Sequence, residues 1–380
     1  MILLKFILSI SILLFYNAFA NCCTIQTATD SHICAGPYQP ALSYLKGVLT
    51  KHRITIIGEP HLRSEDVELI ADILPFLHEN NISLAVECFS ASMQPEIDLL
   101  ITSPKWDSNL ANKIMRLSDW PYIQYRNILE ISWKISQNKN NKTLKIIALG
   151  PTKDWRIRLI PKGITYDSFM TEIIQSYVKK TSSKVLIYCG MHHAFTRYQQ
   201  ADVDLKGVVR NYMLRLGNLL YKDYGDAVFC IALHSPQLAL PLSRKNYVLP
   251  FSGQIDCLMD KNNWSIGFNI SESDISGLQF LPNNYYSIGH PGLKFSDFAD
   301  GYIALVPVEK TRLVDIIPLS DLAPDMISFE YISNEDPFTG THNLSRRDME
   351  QIWKARIDAN NTPLLKLNWA HLVNWRIQCK

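Results

Sequence analysis

The segment Arg53-Ile54-Thr55-Ile56-Ile57-Gly58-Glu59-Pro60-His61 decides the fold, because it joins a buried strand to two chemically active side chains. Its apolar, β-branched run is bounded by Gly58 and Pro60, which is typical of a parallel strand covered on both faces. In open α/β sheets, ligand sites lie at the carboxyl ends of such strands. Glu59 and His61 therefore stand where a functional site is expected.

The rest of the chain alternates strands and helices, which predicts an α/β fold with a mainly parallel central sheet flanked by helices. Ser64 is the expected N-cap of the helix that follows the first strand. The further predicted strands cover 82–86, 144–149, 184–189, 227–233 and, at an edge of the sheet, 301–308. The other predicted helices cover 41–49, 166–180, 203–221 and 346–357.

Composition indicates an ordinary globular protein. The 380 residues are 47% hydrophobic and 19% charged, and neither value suggests disorder. A net charge of +2 gives no electrostatic case for nucleic acid binding. We expect one α/β domain over 41–380, with an irregular insertion near 235–297, where Pro, Asn, Ser and Gly are frequent.

The first twenty residues have the features of a signal peptide. Lys5 precedes an apolar core over 6–15, and Ala18-Phe19-Ala20 is a cleavage signal. We therefore expect a secreted or periplasmic protein whose mature chain begins with an irregular leader over 21–40. No later apolar run reaches the ~20 residues that a membrane span requires.

The eight cysteines follow the expected cleavage point. Cys22 or Cys23 as a lipidated N-terminus is the alternative to a soluble protein, and either could pair with Cys34 in an oxidising compartment. No two cysteines have the spacing of a zinc finger. The cysteines in or beside predicted core strands are expected to be small buried hydrophobes: Cys88, Cys189 and Cys230.

Five predicted strands end in ionisable side chains, which parallel strands would bring to one edge of the sheet. These are Glu59 with His61, Glu87, the group Lys153, Asp154 and Arg156, the pair His192 and His193, and His234. A glycine precedes two of the clusters and permits a sharp turn or a close backbone approach. His234 lacks a motif and is expected to be a core or loop histidine.

Three of these clusters resemble the signature motifs of the erythromycin esterase/ChaN-like/Tiki superfamily. They are Ile-Gly-Glu-Pro-His at 57–61, Ala-Val-Glu at 85–87 and Gly-Met-His-His-Ala at 190–194. The match covers roughly residues 50 to 235 and is closest to the ChaN-like haem-binding uptake branch, although Leu62 stands where that branch has a polar residue. In this alignment His193, and not His192, occupies the G-x-x-H position.

Two carboxylates beside two imidazoles suit the activation of water, because one group can accept a proton while another fixes its tautomer. The sequence therefore predicts a hydrolase of an ester, a lactone or an amide, including peptide substrates, with Glu59, His61, Glu87 and His193 as catalytic residues. His192, Lys153 and Arg156 are predicted to bind substrate. Glu59, His61 and His193 could instead hold a divalent metal, a point on which the resembled superfamily is divided.

The alternative function is binding or uptake of haem without turnover, which the ChaN-like resemblance implies. An aromatic stretch from Trp106 to Trp133 could form an apolar slot, with Tyr122 or Tyr125 as an axial ligand. The Glu/His set has no evident purpose in such a protein. The substrate and the choice between metal-dependent and metal-free chemistry stay open at the level of sequence.

Overall fold

A mixed sheet of eight strands organises the part of the chain that the computed structural model describes, residues 38–118, 120–137, 143–151, 164–204, 206–240, 246–325 and 344–360. In spatial order the strands are β1 (Gln39–Pro40), β11 (Ile266–Asn269), β12 (Gly301–Ala304), β8 (Val228–Leu233), β2 (Ile54–Glu59), β5 (Lys184–Gly190), β3 (Ile82–Ser90) and β4 (Ile146–Gly150). From β12 to β4 all neighbours are parallel, whereas β11 and β1 are antiparallel. The predicted α/β class is confirmed.

The two faces of the sheet carry separate hydrophobic cores. On β2, Ile57 packs into one core, while Ile54 and Ile56 pack into the other. A strand covered on both sides needs apolar side chains at successive positions, which explains the unbroken run at its start.

Helices cover both faces. The first core is packed by α1 (Ala41–Lys51), α2 (Ser64–Glu79), α3 (Gln94–Thr102), α4 (Ser108–Arg116), α5 (Ile123–Ser136), α11 (Leu319–Leu322) and α12 (Arg346–Asn360). The second is packed by α6 (Tyr166–Lys180), α7 (Met191–Ala194), α8 (Leu216–Tyr224), α9 (Gln254–Lys261) and α10 (Phe295–Phe298). The cap of α2 is Arg63, one residue before the predicted Ser64, which is the first helical residue. No helix among the described residues is long and apolar enough to cross a membrane.

The predicted helix over 203–221 is wrong in its first half. The chain instead forms a hairpin of β6 (Gln200–Val203) and β7 (Val209–Met213) before α8 begins. The Asp204 carboxylate accepts hydrogen bonds from the backbone N–H groups of Lys206 and Val208, which turns the chain where a helix would continue. Val208 and Tyr212 of the hairpin lie exposed, so the apolar spacing resembled that of an amphipathic helix without marking a buried face.

The segment 235–297 contains regular structure that composition did not reveal. It holds β9 (Gln237–Ala239), which pairs with β10 (Asn246–Val248), then α9 and the strand β11, which lies between β1 and β12 in the main sheet. Because β11 pairs with β12, the strand predicted at a sheet edge over 301–308 lies inside the sheet and ends at Ala304. The end of the expected irregular leader also differs, since residues 39–40 form β1.

Candidate active site

The carboxylate of Glu59 lies at the last position of β2 and is almost completely buried. Its Oε1 accepts hydrogen bonds from His61 Nδ1 at 3.0 Å and from the Tyr125 hydroxyl at 2.5 Å. The Tyr188 hydroxyl donates to Oε2. Burial, with the nearby Glu59 charge, raises the pKa of both tyrosines well above 10, so both remain donors. Glu59 is thereby fixed and aligns His61 through Nδ1.

His61 has an unusual backbone conformation. Its φ is +63° and that of Leu62 is +65°, a left-handed region that costs side-chain-bearing residues free energy. The turn is held from the distant C-terminal part of the chain, because Val314 N donates to Leu62 O at 3.1 Å and Ser64 N donates to Arg312 O at 2.9 Å. The strained turn directs the imidazole toward the end of β5.

The imidazole of His61 is supported on two sides while 35% of its side chain stays exposed. Its ring packs on Trp120, with 4.3 Å between the ring centroids. A Cβ on Gly190 would lie only 2.5 Å from His61 Nε2 and 3.5 Å from Glu87 Oε2. Gly190 is therefore required by the approach of His61. The separation between His61 Nε2 and Glu87 Oε2 is therefore at most the sum of these two distances.

The other motif glycine has a different reason. A Cβ on Gly58 would come within 2.5 Å of Met191 Sδ and 2.9 Å of Ala194 Cβ, both on α7. The glycine lets α7 cross closely over β2, which brings the histidines of α7 beside Glu59. Both glycines thus serve close packing of the chain on itself.

Glu87 lies within β3, which continues four residues beyond the predicted end at Val86. The register with β4 shifts between Val86 and Ser90, a bulge of the kind that redirects side chains near functional sites. Glu87 Oε2 accepts from Gly190 N at 2.6 Å, and Oε1 accepts from the Tyr166 hydroxyl at 3.0 Å. Glu87 therefore also anchors the loop amide at the end of β5.

His193 lies between two carboxylates. Its Nδ1 is 2.6 Å from Asp167 Oδ1, and its Nε2 is 3.4 Å from Glu87 Oε1. Burial by itself lowers the pKa of His193, but Glu87 and Asp167 outweigh it and raise that pKa above 6.5. The pKa of Asp167 is lowered, because its bond to His193, the amide of Leu216 and the Arg215 charge outweigh burial. His193 thus makes a hydrogen bond to Asp167 through Nδ1 and a longer charged contact with Glu87 through Nε2.

Glu59, His61 and His193 line one side of a pocket of about 270 Å³, and Glu87 lies behind them, outside its lining. His192 also lines it and packs against Tyr285 and Tyr286, and burial lowers the pKa of His192 to about 3, so its ring is neutral. The opposite wall comes from the chain between β8 and β12. Its aromatic side chains are Tyr247, Tyr285, Tyr286, Phe298 and Tyr302.

The structure brings together Glu59, His61, Glu87, His192 and His193, as their positions after parallel strands predict. Lys153 and Arg156 lie outside the described residues, as do residues 1–20 and the cysteines expected near the N-terminus.

His234 has no part in this cluster. Its ring is buried between the Tyr302 hydroxyl and Asp256. The three cysteines expected in the core are buried. Burial raises the pKa of the Cys189 and Cys230 thiols, which disfavours nucleophilic thiolates.

Sequence reasoning missed the side chains that support the cluster: Trp120, Tyr125, Tyr166, Asp167 and Tyr188. Tyr125 was considered only as a haem ligand within an aromatic stretch, and Tyr188 lies inside a strand of mostly apolar residues. Asp167 is in the first turn of α6, where acidic residues are common for reasons of helix stability alone.

The residues do not fit the metal ion considered from sequence. Among the described residues, no group of three or more His, Cys, Asp and Glu side chains could hold one. Each oxygen of Glu59 accepts a hydrogen bond from a tyrosine hydroxyl, and each ring nitrogen of His193 faces a carboxylate. Glu59, His61 and His193 therefore do not present free donor atoms to a common point.

The haem ligands considered from sequence do not fit either. Tyr122 and Tyr125 are 3% and 1% exposed and belong to the hydrophobic core, and the Tyr125 hydroxyl is bound to Glu59. Trp106 and Trp133 pack on the same core. The aromatic stretch therefore forms core packing and the support of His61.

No family profile and no curated protein matches the sequence. Similar solved structures include a mutant of the erythromycin esterase EreC in its open conformation, at 10% identity and TM-score 0.36 over 55% of this chain and 78% of that one. A Bacillus cereus protein matches at 10% identity and TM-score 0.41, over 69% and 90% of the two chains. ChaN of Campylobacter jejuni, described with cofacial haem binding, matches at 13% identity and TM-score 0.29, over 52% and 88%. Two of these neighbours, the erythromycin esterase and ChaN, bear names that occur in the superfamily whose motifs this sequence resembles.

Proposed function

We propose that the protein is a hydrolase in which His61 activates water for attack on an ester, lactone or amide carbonyl. The observation that carries the proposal is the His61 imidazole itself. Its Nδ1 is bound to the buried Glu59, and its Nε2 lies at Gly190 beside an open pocket. A carboxylate that binds Nδ1 holds the imidazole in the tautomer and orientation in which Nε2 can act as a base.

The reacting water would lie above Gly190, between His61 Nε2 and Glu87. His61 takes one proton from this water, the oxygen bonds to the substrate carbonyl carbon, and the carbonyl π electrons move to its oxygen. When the intermediate collapses, the bond to the leaving group breaks and the imidazolium returns the proton to that group. Glu59 stabilises the transient imidazolium through Nδ1. His193 is less suited as the base, because only 14% of its side chain is exposed, against 35% for His61.

The lining of the pocket supports the proposal that the substrate is an organic molecule with an uncharged ring or chain. Facing the Glu/His wall are aromatic rings of which Tyr247 and Tyr285 are partly exposed, together with the neutral side chains of Ser235 and Gln237. Aromatic faces of this kind bind flat or apolar groups. Residues 1–20 support export, so we also propose a secreted or periplasmic location, which N-terminal sequencing of the protein from its producing cell tests.

The test compares His61→Ala and Glu59→Gln with His52→Ala, a histidine that precedes β2 at its opposite end. Purified variants are assayed on a panel of esters, lactones and peptides, with and without chelator. We expect the kcat/KM of His61→Ala to fall about 10²–10⁴-fold, and that of Glu59→Gln to fall by a large part of this factor. The kcat/KM of His52→Ala should match that of the wild type.

Two results contradict the proposal. One is a substrate that is turned over equally well by wild type and His61→Ala. The other is an absence of turnover across the panel combined with one-to-one binding of haemin that survives the His61 change, which would favour the binding function. Loss of activity with chelator and recovery with added divalent metal would replace the metal-free scheme.

A further inference from the structure

Asp167 is a buried carboxylate to which neither the motifs nor the proposed reaction gives a role. It lies in the first turn of α6 and does not line the pocket. Its Oδ1 accepts from His193 Nδ1 at 2.6 Å and from Leu216 N at 2.9 Å, and its Oδ2 is 3.4 Å from Arg215 Nη1. One carboxylate therefore ties α7 to the start of α8 while it faces the site histidine.

Of the contacts that Asp167 makes, the one with His193 leads into the candidate site. His193 contacts Asp167 through Nδ1 and Glu87 through Nε2, and Glu87 accepts a hydrogen bond from Gly190 N. Gly190 is the point at which His61 Nε2 approaches β5. A shift of the His193 ring would thus be transmitted to the carboxylate that faces His61.

We propose that Asp167 is a positioning residue: it fixes the His193 ring so that His193 holds Glu87 against Gly190 and opposite His61. The kinetic consequences of this proposal rest on the proposed hydrolase function, whereas the hydrogen bond between Asp167 and His193 stands independently of that function. Arg215 keeps Asp167 in place, since its Nη2 also donates to Gln200 at 2.9 Å.

Helix geometry alone does not account for this arrangement. The cap of α6 is already supplied by Thr165 and Ser168, which form a capping box. Asp167 points instead across to α7 and α8, where it is 4% exposed. A carboxylate placed for helix stability alone would stay in solvent at low cost.

The experiment uses Asp167→Asn, which keeps the shape and an acceptor oxygen but removes the charge, and Asp167→Ala, which removes the contact. The control is Asp98→Asn, which removes an equally close charged contact, 2.6 Å from Lys145, away from the pocket. Proton NMR follows the strongly deshielded proton of the Asp167–His193 hydrogen bond, and steady-state kinetics separate kcat from KM.

We expect the deshielded proton in the wild type and in Asp98→Asn, and its loss in Asp167→Ala and in His193→Leu. In Asp167→Asn we expect kcat to fall about 10²-fold, the cost of misplacing a reacting group, with KM nearly unchanged. Asp98→Asn should keep both constants.

Each alternative outcome has one meaning. Absence of the deshielded proton from the folded wild type, or its persistence in Asp167→Ala, overturns the Asp167–His193 hydrogen bond on which the proposal rests. Wild-type kcat in Asp167→Asn, with the signal assigned to this bond, makes Asp167 structural only and overturns the positioning role. If the wild type hydrolyses nothing, the hydrolase function fails and the positioning role fails with it, while the NMR result still decides whether Asp167 binds His193.

Discussion

Two histidine–aspartate pairs lie beyond the carboxyl ends of strands of the parallel sheet, and only one of them belongs to the candidate site. His193 meets Asp167 at 2.6 Å after β5, and His234 meets Asp256 at 3.2 Å after β8. His193 also faces Glu87 and lines the pocket. His234 is enclosed, with its second ring nitrogen on the Tyr302 hydroxyl at 2.9 Å and its carbonyl oxygen accepting from Arg63.

The difference shows that a carboxylate partner does not make a histidine functional. Both pairs satisfy buried polar groups, as folding requires. What separates them is access: the chain of contacts through His193 ends at Gly190 beside open space, whereas the chain through His234 ends in the core. The same chemistry therefore serves reactivity in one place and stability in the other.

The strongest test of this comparison substitutes both histidines by leucine. His193→Leu should lower kcat/KM at least about 10²-fold and lower stability less, because Asp167 and Glu87 keep other donors. His234→Leu should cost about 3 kcal/mol of unfolding free energy, because Asp256 is left buried without its imidazole, while activity per folded molecule is kept. Urea unfolding and assays of the folded fraction measure both, and a reversed pattern would contradict the assignment.

Substitutions of two glycines test whether activity depends on the close approach of His61 to the backbone of β5. Gly190→Ala should lower kcat/KM about 10²-fold, because the added methyl group displaces His61. Gly47→Ala is the matched control, since nothing lies within 4 Å of the added Cβ in α1, and it should raise stability by up to about 1 kcal/mol. Equal activities of the two variants would mean that His61 does not need its observed position.

Asp66 offers a buried carboxylate that lacks an imidazole partner. Neither oxygen accepts a hydrogen bond among the described residues, the nearest cation atom being Arg63 Nε at 3.7 Å, and burial raises the pKa of Asp66 from 3.8 to about 7. Because the folded state then binds the proton more tightly than the unfolded state, stability should fall as pH rises from about 4 to about 7.

Asp66→Asn should remove this pH dependence. The full pKa shift corresponds to about 4 kcal/mol, and losing the attraction of Arg63 offsets part of it, so we expect a gain of about 2 kcal/mol at pH 8 and almost none at pH 4. Thermal unfolding at the two pH values measures the difference. A variant less stable than wild type at pH 8 would mean that Asp66 is ionised and well paired.

The smallest effects are expected at the tyrosines that hold Glu59. Tyr125→Phe and Tyr188→Phe each remove one hydroxyl donor, and each should cost about 1–2 kcal/mol of stability and up to about tenfold in kcat. Tyr44→Phe, whose hydroxyl binds Asn269 at 2.9 Å, is the control and should leave kcat unchanged. Loss of kcat in Tyr44→Phe would show that the assay reports stability and not the site.

The sequence by itself determined the parallel strands and the chemical groups at their ends. Continuous apolar runs and their bounding glycines are local signals, and strand ends of a parallel sheet meet without further information. Glu59, His61, Glu87 and His193 could therefore be placed in one region before any coordinates. Local pattern also failed where apolar residues of the β6–β7 hairpin have helical spacing, because spacing does not reveal whether a core lies beneath.

Only the tertiary structure decided what each of these groups can do. Tyr188 reaches Glu59 across 129 residues of chain, Asp167 meets His193 across 26, and Val314 holds the strained turn at His61 and Leu62. No periodicity records such pairs, because they depend on which helix covers which strand. Burial and access likewise follow from the packed whole: both histidines come after a strand of the sheet, but His193 lines the pocket and His234 is buried away from it.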